Sequence, residues 1–350
     1  MPNMLRFIAF SLMISISRKI EDLWYSNKRP PYILIFLSKL FELILYFRDE
    51  FWIDGFLKIR RVKVPVIVIG NITAGGTGKT PMTLFLSEWF EDKGKSVGII
   101  TSGYKGRRSS KDPYILIKNE NAIDFGDEAV YMAKESKAMV CVCKDRYKAA
   151  EILVKSGAEI IISDDGLQHY KMGRDYEIAV VDSSRLLGNE YLLPAGPLRE
   201  RRSRLATVDL ILLNGEVDSK EIMDEFESEA IMTPFLNFTI NNKNLFNLND
   251  SSKRKLSDFK GKTVNVLAGI GNPKKLYKSI EKYGIIVKPI ETEDHGVIDM
   301  NIYSNDITPL FMTPKDAVKY EKPFPKNAFI IEPSVEIDLQ YISKLFSKYL

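Results

Sequence analysis

The chain has 350 residues, a formal charge of +4, 45% hydrophobic and 27% charged residues, and two cysteines. That composition provides for a large apolar core and excludes a disordered, collagenous or disulfide-stapled chain. The length suggests two α/β domains.

The charge is unevenly placed. Residues 1–63 hold eleven Lys and Arg against six Asp and Glu, so +5 sits there and −1 on the remainder. Phe7–Ile16 and Tyr32–Phe47 are apolar runs, and neither reaches the roughly 18–20 apolar residues that span a bilayer. Pro30-Pro31 can start a helix in which Ser38, Lys39, Glu42, Tyr46 and Asp49 recur every three or four residues as a narrow polar stripe. The wide remaining face carries Leu34, Leu37, Phe41, Ile44, Leu45 and Phe47, and is flanked by Arg29, Arg48, Lys58, Arg60 and Arg61. Two readings fit this pattern equally: an amphipathic helix lying on an anionic membrane surface, or a helix packed on the core. Residues 1–20 show no small-residue cleavage site of a secretory leader.

The apolar stretch Val64-Pro65-Val66-Ile67-Val68-Ile69 reads as a strand feeding Thr73-Ala74-Gly75-Gly76-Thr77-Gly78-Lys79-Thr80, a phosphate-binding loop that opens a helix. Backbone N–H groups of Gly75, Gly76, Thr77 and Gly78 can converge on phosphate oxygens, because glycine permits the tight turn. Lys79 and the helix N-terminus add positive charge, and the Thr80 hydroxyl is placed to hold Mg²⁺. Thr73 stands where the G-x-x-x-x-G-K-T pattern has its first glycine.

Farther along, short apolar runs alternate with helical patterns. Val97–Thr101, Tyr114–Ile117, Met139–Cys143, Glu159–Ser163, Tyr176–Val181 and Val208–Leu213 are the expected strands of a doubly wound parallel sheet. Period-two spacing puts Cys141 and Cys143 on one face of their strand, where they read as buried core rather than a metal or redox pair, consistent with a reducing cytoplasmic compartment. After Asn214 the chain turns acidic and then asparagine-rich, the character of a connecting region. A second unit follows, with Thr263–Ala268 and Gly284–Pro289 as strands, Pro273–Tyr283 as a helix, and a closing helix over Leu339–Leu350.

Asp164-Asp165 end the run Ile160-Ile161-Ile162-Ser163, which is where an open α/β sheet holds ligands and a P-loop protein places the acid for Mg²⁺ or its water. Downstream, Pro194-Ala195-Gly196-Pro197-Leu198-Arg199-Glu200-Arg201-Arg202 joins a rigid turn to a cationic cluster whose guanidinium forks suit phosphate oxygens, or form a solvated face. Gly126-Asp127-Glu128 and Asp294-His295 are the remaining acid/base candidates, and His169 reads equally well as a satisfied surface histidine.

The ordered set of Gly70–Pro81, Gly126-Asp127-Glu128, Asp164-Asp165-Gly166-Leu167-Gln168-His169, Gly188-Asn189, Leu193–Glu200, Gly269-Ile270-Gly271-Asn272-Pro273, Asp294-His295 and Thr313–Lys319 resembles the motifs of the tetraacyldisaccharide 4′-kinase (lipid A 4′-kinase) family from about Trp24 onward. Thr73 is usual in that family. The resemblance implies ATP- and Mg²⁺-dependent phosphorylation of the 4′-hydroxyl of a tetraacylated glucosamine disaccharide 1-phosphate, giving lipid IVA at the cytoplasmic face of the inner membrane. Carried onto this chain, it implies that residues 73–80 bind nucleotide, with Lys79 catalytic, and that Thr80, Glu128 and Asp164 lie at the metal. It further makes Asp127 the base that activates the sugar hydroxyl, His295 its partner across a cleft, and Asp165, Gln168, Arg199 and Glu200 substrate contacts. No nucleic acid or obligate protein partner is implied.

The expected organisation is therefore an α/β protein: a membrane-associating segment over 1–60, a P-loop kinase domain over 61–214, a connecting region over 215–262 and a smaller α/β domain over 263–350. The sequence departs from the family at Ser102, where an arginine is usual and Lys105 or Arg107 could substitute, and at Gly296-Val297 after Asp-His. Residues 1–23 have no clear family counterpart. A membrane-surface ATPase of the partitioning type shares Gly75–Thr80 and an amphipathic anchor, but its signature lysine would fall at Ala74. A GTPase would need a guanine-reading Asn-Lys-x-Asp, which does not occur.

Overall fold

The computed structural model describes residues 19–26, 28–53, 58–108, 112–118, 120–216, 231–290, 292, 296–303 and 307–350. One 13-stranded sheet runs through them. In chain order its strands are β1 (Val66–Gly70), β2 (Val97–Thr101), β3 (Tyr114–Ile115), β4 (Met139–Val142), β5 (Ile160–Asp164), β6 (Tyr176–Asp182), β7 (Leu210–Asn214), β8 (Phe235–Asn247), β9 (Lys253–Lys255), β10 (Thr263–Leu267), β11 (Ile286–Ile290), β12 (Leu310–Met312) and β13 (Ala328–Ile337). Their spatial order is β11-β10-β12-β13-β8-β7-β6-β1-β5-β2-β4-β3, with β9 beside β8. Strands β1, β2, β4 to β6 and β10 are buried nearly end to end and rich in Val and Ile, as expected where helices cover both faces.

Strand β1 is flanked by β5 and β6, both parallel to it, and the winding direction reverses there. Ligand sites of open parallel sheets form outside the carboxyl ends of strands at such a reversal. Helices α2 (Lys79–Glu91) and α4 (Asp127–Glu135) cover one face, burying Met82, Leu86, Val130 and Met132, while α1 (Tyr32–Ile53) and α5 (Arg146–Lys155) contribute Leu45, Ala149 and Leu153 to the other. Cys141 and Cys143 are buried within that second core and are not joined in a disulfide.

Residues 215–262, read from sequence as a connecting region, contain a 13-residue strand. The first residues of β8 pair in parallel with β7 through Phe235↔Ile211 to Phe238↔Asn214, and the rest pairs antiparallel with β13, from Phe238↔Ile337 to Asn247↔Phe329. Asparagine weakens a strand by propensity, but here β13 supplies a ladder along most of the asparagine-rich stretch, with β7 at its start and β9 near its end. Phe238 and Leu245 are an odd number of residues apart, so they fall on opposite faces and fill different cores. The link between the two parts of the sheet is thus hydrogen-bonded strand. Short helix α3 (Ala122–Phe125) leads into α4, and α6 (Pro273–Glu281), α7 (Pro314–Ala317) and α8 (Leu339–Phe346) complete the main helices.

Candidate functional site

The run Thr73–Thr80 leaves β1 and enters α2 at Lys79, and Gly75 and Gly76 are solvent-exposed. Two long-range contacts shape it: Ala74 N–H donates to Pro197 C=O at 2.7 Å, and Arg199 N–H donates to Ile72 C=O at 2.7 Å. The Pro/Gly turn of 194–198 therefore acts as a splint for the loop. Gly78 has φ +100°, and a Cβ there would stand 2.6 Å from Asn214 Nδ2, whose amide donates to Thr77 C=O at 2.9 Å. Only glycine meets both demands. The hydroxyl of Thr77 is buried without a partner, a polar atom available to an incoming phosphate.

The loop 269–272 of the sheet's other part roofs this site. A Cβ on Gly271 would lie 2.0 Å from Gly76 N, so the two backbones touch. That roof is tied down at the ends of β6 and β7. Asn272 Nδ2 donates to Asp182 at 2.9 Å, Lys275 Nζ reaches Asp182 at 3.1 Å and Asn214 C=O at 2.6 Å, and Arg185 donates to Gly271 C=O at 3.1 Å. Asp182, which ends β6, is thus a strut for the roof.

The carboxylates cluster where expected. Asp164 ends β5, is fully buried and accepts from Thr83 Oγ1 of α2 at 3.0 Å. Burial, then the neighbouring carboxylates of Glu128 and Asp165, push its carboxyl up to about 7. Asp165 sits in the left-handed region at φ +49° and lies 3.6 Å from Lys79 Nζ and 3.0 Å from Arg199 Nη1. Burial opposes its ionisation, but Lys79 and Arg199 outweigh that and hold it well below the usual carboxylate range. Gln168 donates to Asn71 C=O at 3.0 Å at the base of the loop.

Asp127 and Glu128 open α4, where the helix N-terminus favours acids. Asp127 Oδ1 accepts from Glu128 N–H at 2.8 Å. Their cross-sheet partners are lysines that sequence reasoning did not single out. Lys319 Nζ lies 3.6 Å from Asp127 Oδ2 and 2.7 Å from Asp316, and Lys315 Nζ lies 3.2 Å from Glu128. Asp316 also accepts from Gly269 N–H at 2.8 Å, so one buried network joins the roof loop to the acid pair. The signal was present as a Thr-Pro helix start followed by lysines at i and i+4 on one side. His295, expected as the partner of Asp127, lies outside the described residues.

Two further placements differ from the sequence reading. Both Glu200 oxygens face Arg48 of α1, at 3.0 and 2.6 Å, so this carboxylate anchors a helix and is not gathered with the other acids. Arg146, buried on the opposite side of β5 from α2, donates to Asp164 C=O at 3.0 Å and was not singled out at all.

Helix α1 settles which way its faces point. Ser38 and Leu45 are buried, with Ser38 Oγ bonded to Leu192 C=O and Ala195 N–H, and Arg201 approaches Glu42 and Asp49 at 3.9 and 3.7 Å. Of the polar stripe, Ser38, Glu42 and Asp49 therefore face the protein, while Lys39 and Tyr46 stay outside. Outward, Tyr32, Ile33, Phe36, Leu37, Leu40, Leu43, Ile44, Tyr46, Phe47 and Phe51 stay exposed, with Ile44 at 63%. No helix among the described residues is long and apolar enough to cross a membrane.

A mostly parallel sheet in which β1 feeds a phosphate loop, with strand-end carboxylates beside the loop's lysine and a helix-start carboxylate close to Asp164, defines a P-loop phosphotransferase. The tetraacyldisaccharide-1-P 4′-kinase (LpxK) family matches residues 31–349, and the chain belongs to that family. It is 38% identical over 318 residues to the tetraacyldisaccharide 4′-kinase of Haemophilus influenzae (strain 86-028NP), covering 90% of this chain and 91% of that one. The Histophilus somni (strain 2336) enzyme of the same name is 36% identical over 326 residues, covering 91% and 93%. Among solved structures, LpxK from Aquifex aeolicus in complex with ATP matches with a TM-score of 0.71 at 28% identity, over 89% of this chain and 97% of that one.

Proposed function

We propose that the chain transfers the γ-phosphate of ATP to the 4′-hydroxyl of a tetraacyldisaccharide 1-phosphate at a membrane surface. The observation that carries this reading is the convergence of Lys79, Asp164, Asp165, Asp127 and Glu128 through direct contacts and close electrostatic coupling at one end of the sheet. Family membership supplies the reaction class, and the ATP complex of the Aquifex aeolicus relative supports the choice of nucleotide.

The residues fit the groups this reaction needs. Exposed loop backbone, the unpartnered Thr77 hydroxyl and Lys79 suit a polyphosphate. No group of three or more His, Cys, Asp or Glu side chains among the described residues makes a ready metal cage, whereas Mg²⁺ is usually held by one or two carboxylates plus substrate phosphates. Thr80, Asp164 and Glu128 would hold it, where it would neutralise charge on the transferring phosphoryl group; the crowding that raises Asp164 is what a cation would relieve.

Asp127 takes the proton of the 4′-hydroxyl as that oxygen forms its bond to the γ-phosphorus. The bond from γ-phosphorus to the bridging oxygen breaks, and ADP leaves with that oxygen. Lys79 compensates charge on the phosphate oxygens, and Lys319 fixes the carboxylate of Asp127. Arg199, bonded to Asp165 beside Lys79, is a cation on which a phosphate-bearing acceptor can settle. The apolar outward face of α1 supports a peripheral position on the lipid surface, with acyl chains left in the bilayer. The test is transfer of labelled γ-phosphate: ³²P should appear in the lipid product with the disaccharide 1-phosphate as acceptor, and label found only as inorganic phosphate would refute the reading.

A further inference from the structure

Lys79, Lys315 and Lys319 all meet carboxylates of the transfer site, but they are held differently. Lys79 belongs to the phosphate loop and lies beside Asp165. Lys319 is locked in place: its side chain is buried, and its Nζ reaches Asp316 at 2.7 Å, Gly296 C=O at 3.3 Å and Asp127 at 3.6 Å. Lys315 stands one turn earlier, where Thr313 and Pro314 start α7, and its Nζ lies 3.2 Å from Glu128 Oε1. The Lys315 side chain is 13% exposed and that of Glu128 33%, so this pair faces solvent where Asp164 is buried. Glu128 sits in the first turn of α4, and an ammonium is the unfavourable charge at a helix start, so what draws Lys315 there is the carboxylate. Asp164 feels both Glu128 and Lys79, so the acid that Lys315 holds and the loop's own lysine flank one carboxylate.

We infer that Lys315 is a tethered counter-cation of the metal site, which keeps a free divalent cation off Glu128 until nucleotide phosphates offer the ammonium another anion. A metal on Asp164 and Glu128 needs the oxygen that Lys315 approaches, and the ammonium repels it at short range. Lysine carries a compact charge on a flexible four-carbon stem and binds phosphate as a point charge, so it can exchange a carboxylate for phosphate oxygens without a change of backbone. Glu128 then passes to the metal. Metal and nucleotide are thereby coupled, and the carboxylates are reserved for a cation that arrives with a polyphosphate. By linkage the coupling is reciprocal: whatever Lys315 takes from metal affinity in the absence of nucleotide is returned when both ligands are bound. The inference deepens the proposed kinase reading, from which it takes the metal site, and concerns binding alone.

The test titrates the full chain with Mn²⁺, followed by electron paramagnetic resonance, with and without an ATP analogue whose β–γ bridging oxygen is a methylene. Lys315→Met should tighten nucleotide-free Mn²⁺ binding about tenfold, as removal of one nearby like charge does at a partly exposed site, and should shrink by the same factor the gain that the analogue brings. Lys315→Arg, which keeps the charge, should stay close to the parent. Lys315→Gln repeats the measurement with a polar head, so misfolding of one variant does not decide the outcome. On a Glu128→Gln background Lys315→Met should change nothing, because the contested carboxylate is gone. Unchanged nucleotide-free Mn²⁺ affinity in the neutral variants overturns the inference, and so does a gain that survives on the Glu128→Gln background. Absence of transfer in the unmodified chain, with the coupling intact and dependent on Lys315, would instead overturn the kinase reading and leave the counter-cation standing.

Discussion

The phosphate loop and helix α1 expose opposite things to solvent. The loop offers backbone N–H groups and is braced by the 194–198 turn and Asn214, whereas α1 offers ten large apolar side chains and turns Ser38, Glu42 and Asp49 inward. Each is unfavourable in water by itself, and each is held by bonds from distant segments: Pro197, Arg199 and Asn214 for the loop, Glu200, Arg201 and Leu192 for the helix. The 192–201 segment serves both. What differs is the intended partner, an anion in one case and a lipid surface in the other.

The largest expected effect lies at the loop. Lys79→Ala should lower kcat about 10³-fold, because a single preorganised charge at the transferring group carries up to about 4 kcal/mol. Thermal unfolding should change little by comparison, since Asp165 retains Arg199 at 3.0 Å. A variant that keeps wild-type turnover would detach the loop from the chemistry.

Next comes the anchor of α1. Arg48→Ala strands the buried carboxylate of Glu200, whose side chain is 3% exposed. A broken buried pair costs about 3 kcal/mol at the low end, so the urea midpoint should fall, and Arg48→Ala/Glu200→Gln should recover part of the loss. A midpoint unchanged in the single variant would mean that the Arg48–Glu200 pair does not hold α1.

On the outward side of the same helix the expected sign differs. Ile33→Ser, Ile44→Ser and Phe47→Ser should each stay within about 0.5 kcal/mol of the parent in stability, as exposed sites do. Combined, they should weaken sedimentation with anionic vesicles and raise KM for the lipid acceptor. Loss of folding instead of loss of vesicle binding would make that face a packing surface.

The smallest effect is in pH. Asp164 has its carboxyl raised to about 7 by burial and by Glu128 and Asp165, far above an unfolded aspartate. A raised acid favours the folded state when protonated, so its contribution is full below about pH 4 and is lost as pH rises through 7. The ligand-free chain should therefore have a lower Tm at pH 8 than at pH 6, and Asp164→Asn should flatten that slope. An equal slope in the variant would assign the pH dependence to other groups.

How much of this was legible in sequence follows from how local each interaction is. The phosphate loop, β1 and the strand-end acids are contiguous motifs whose geometry is set within a few residues, and they could be read directly. The orientation of α1 could not, because periodicity gives two faces without saying which one meets protein; Arg48 finds Glu200 across 152 positions. Strand β8 was missed because its asparagines argue against a strand until β7 and β13 are placed beside it. Lys319 and Lys315 sat in a recognised motif, yet their approach to Asp127 and Glu128 depends on how the two parts of the sheet meet. Arg146 looked like an ordinary first-turn residue of a helix until its burial behind Asp164 was seen.

The most direct test of the account is the ratio of ADP formed to phosphate transferred, measured with Lys79 intact on vesicles that contain or lack the tetraacyldisaccharide 1-phosphate. A kinase with its acceptor at the Asp127 end of the site should release ADP only with acceptor present, at one ADP per phosphorylated lipid. ADP release that continues at the same rate on vesicles without acceptor would contradict it and describe a membrane-surface ATPase.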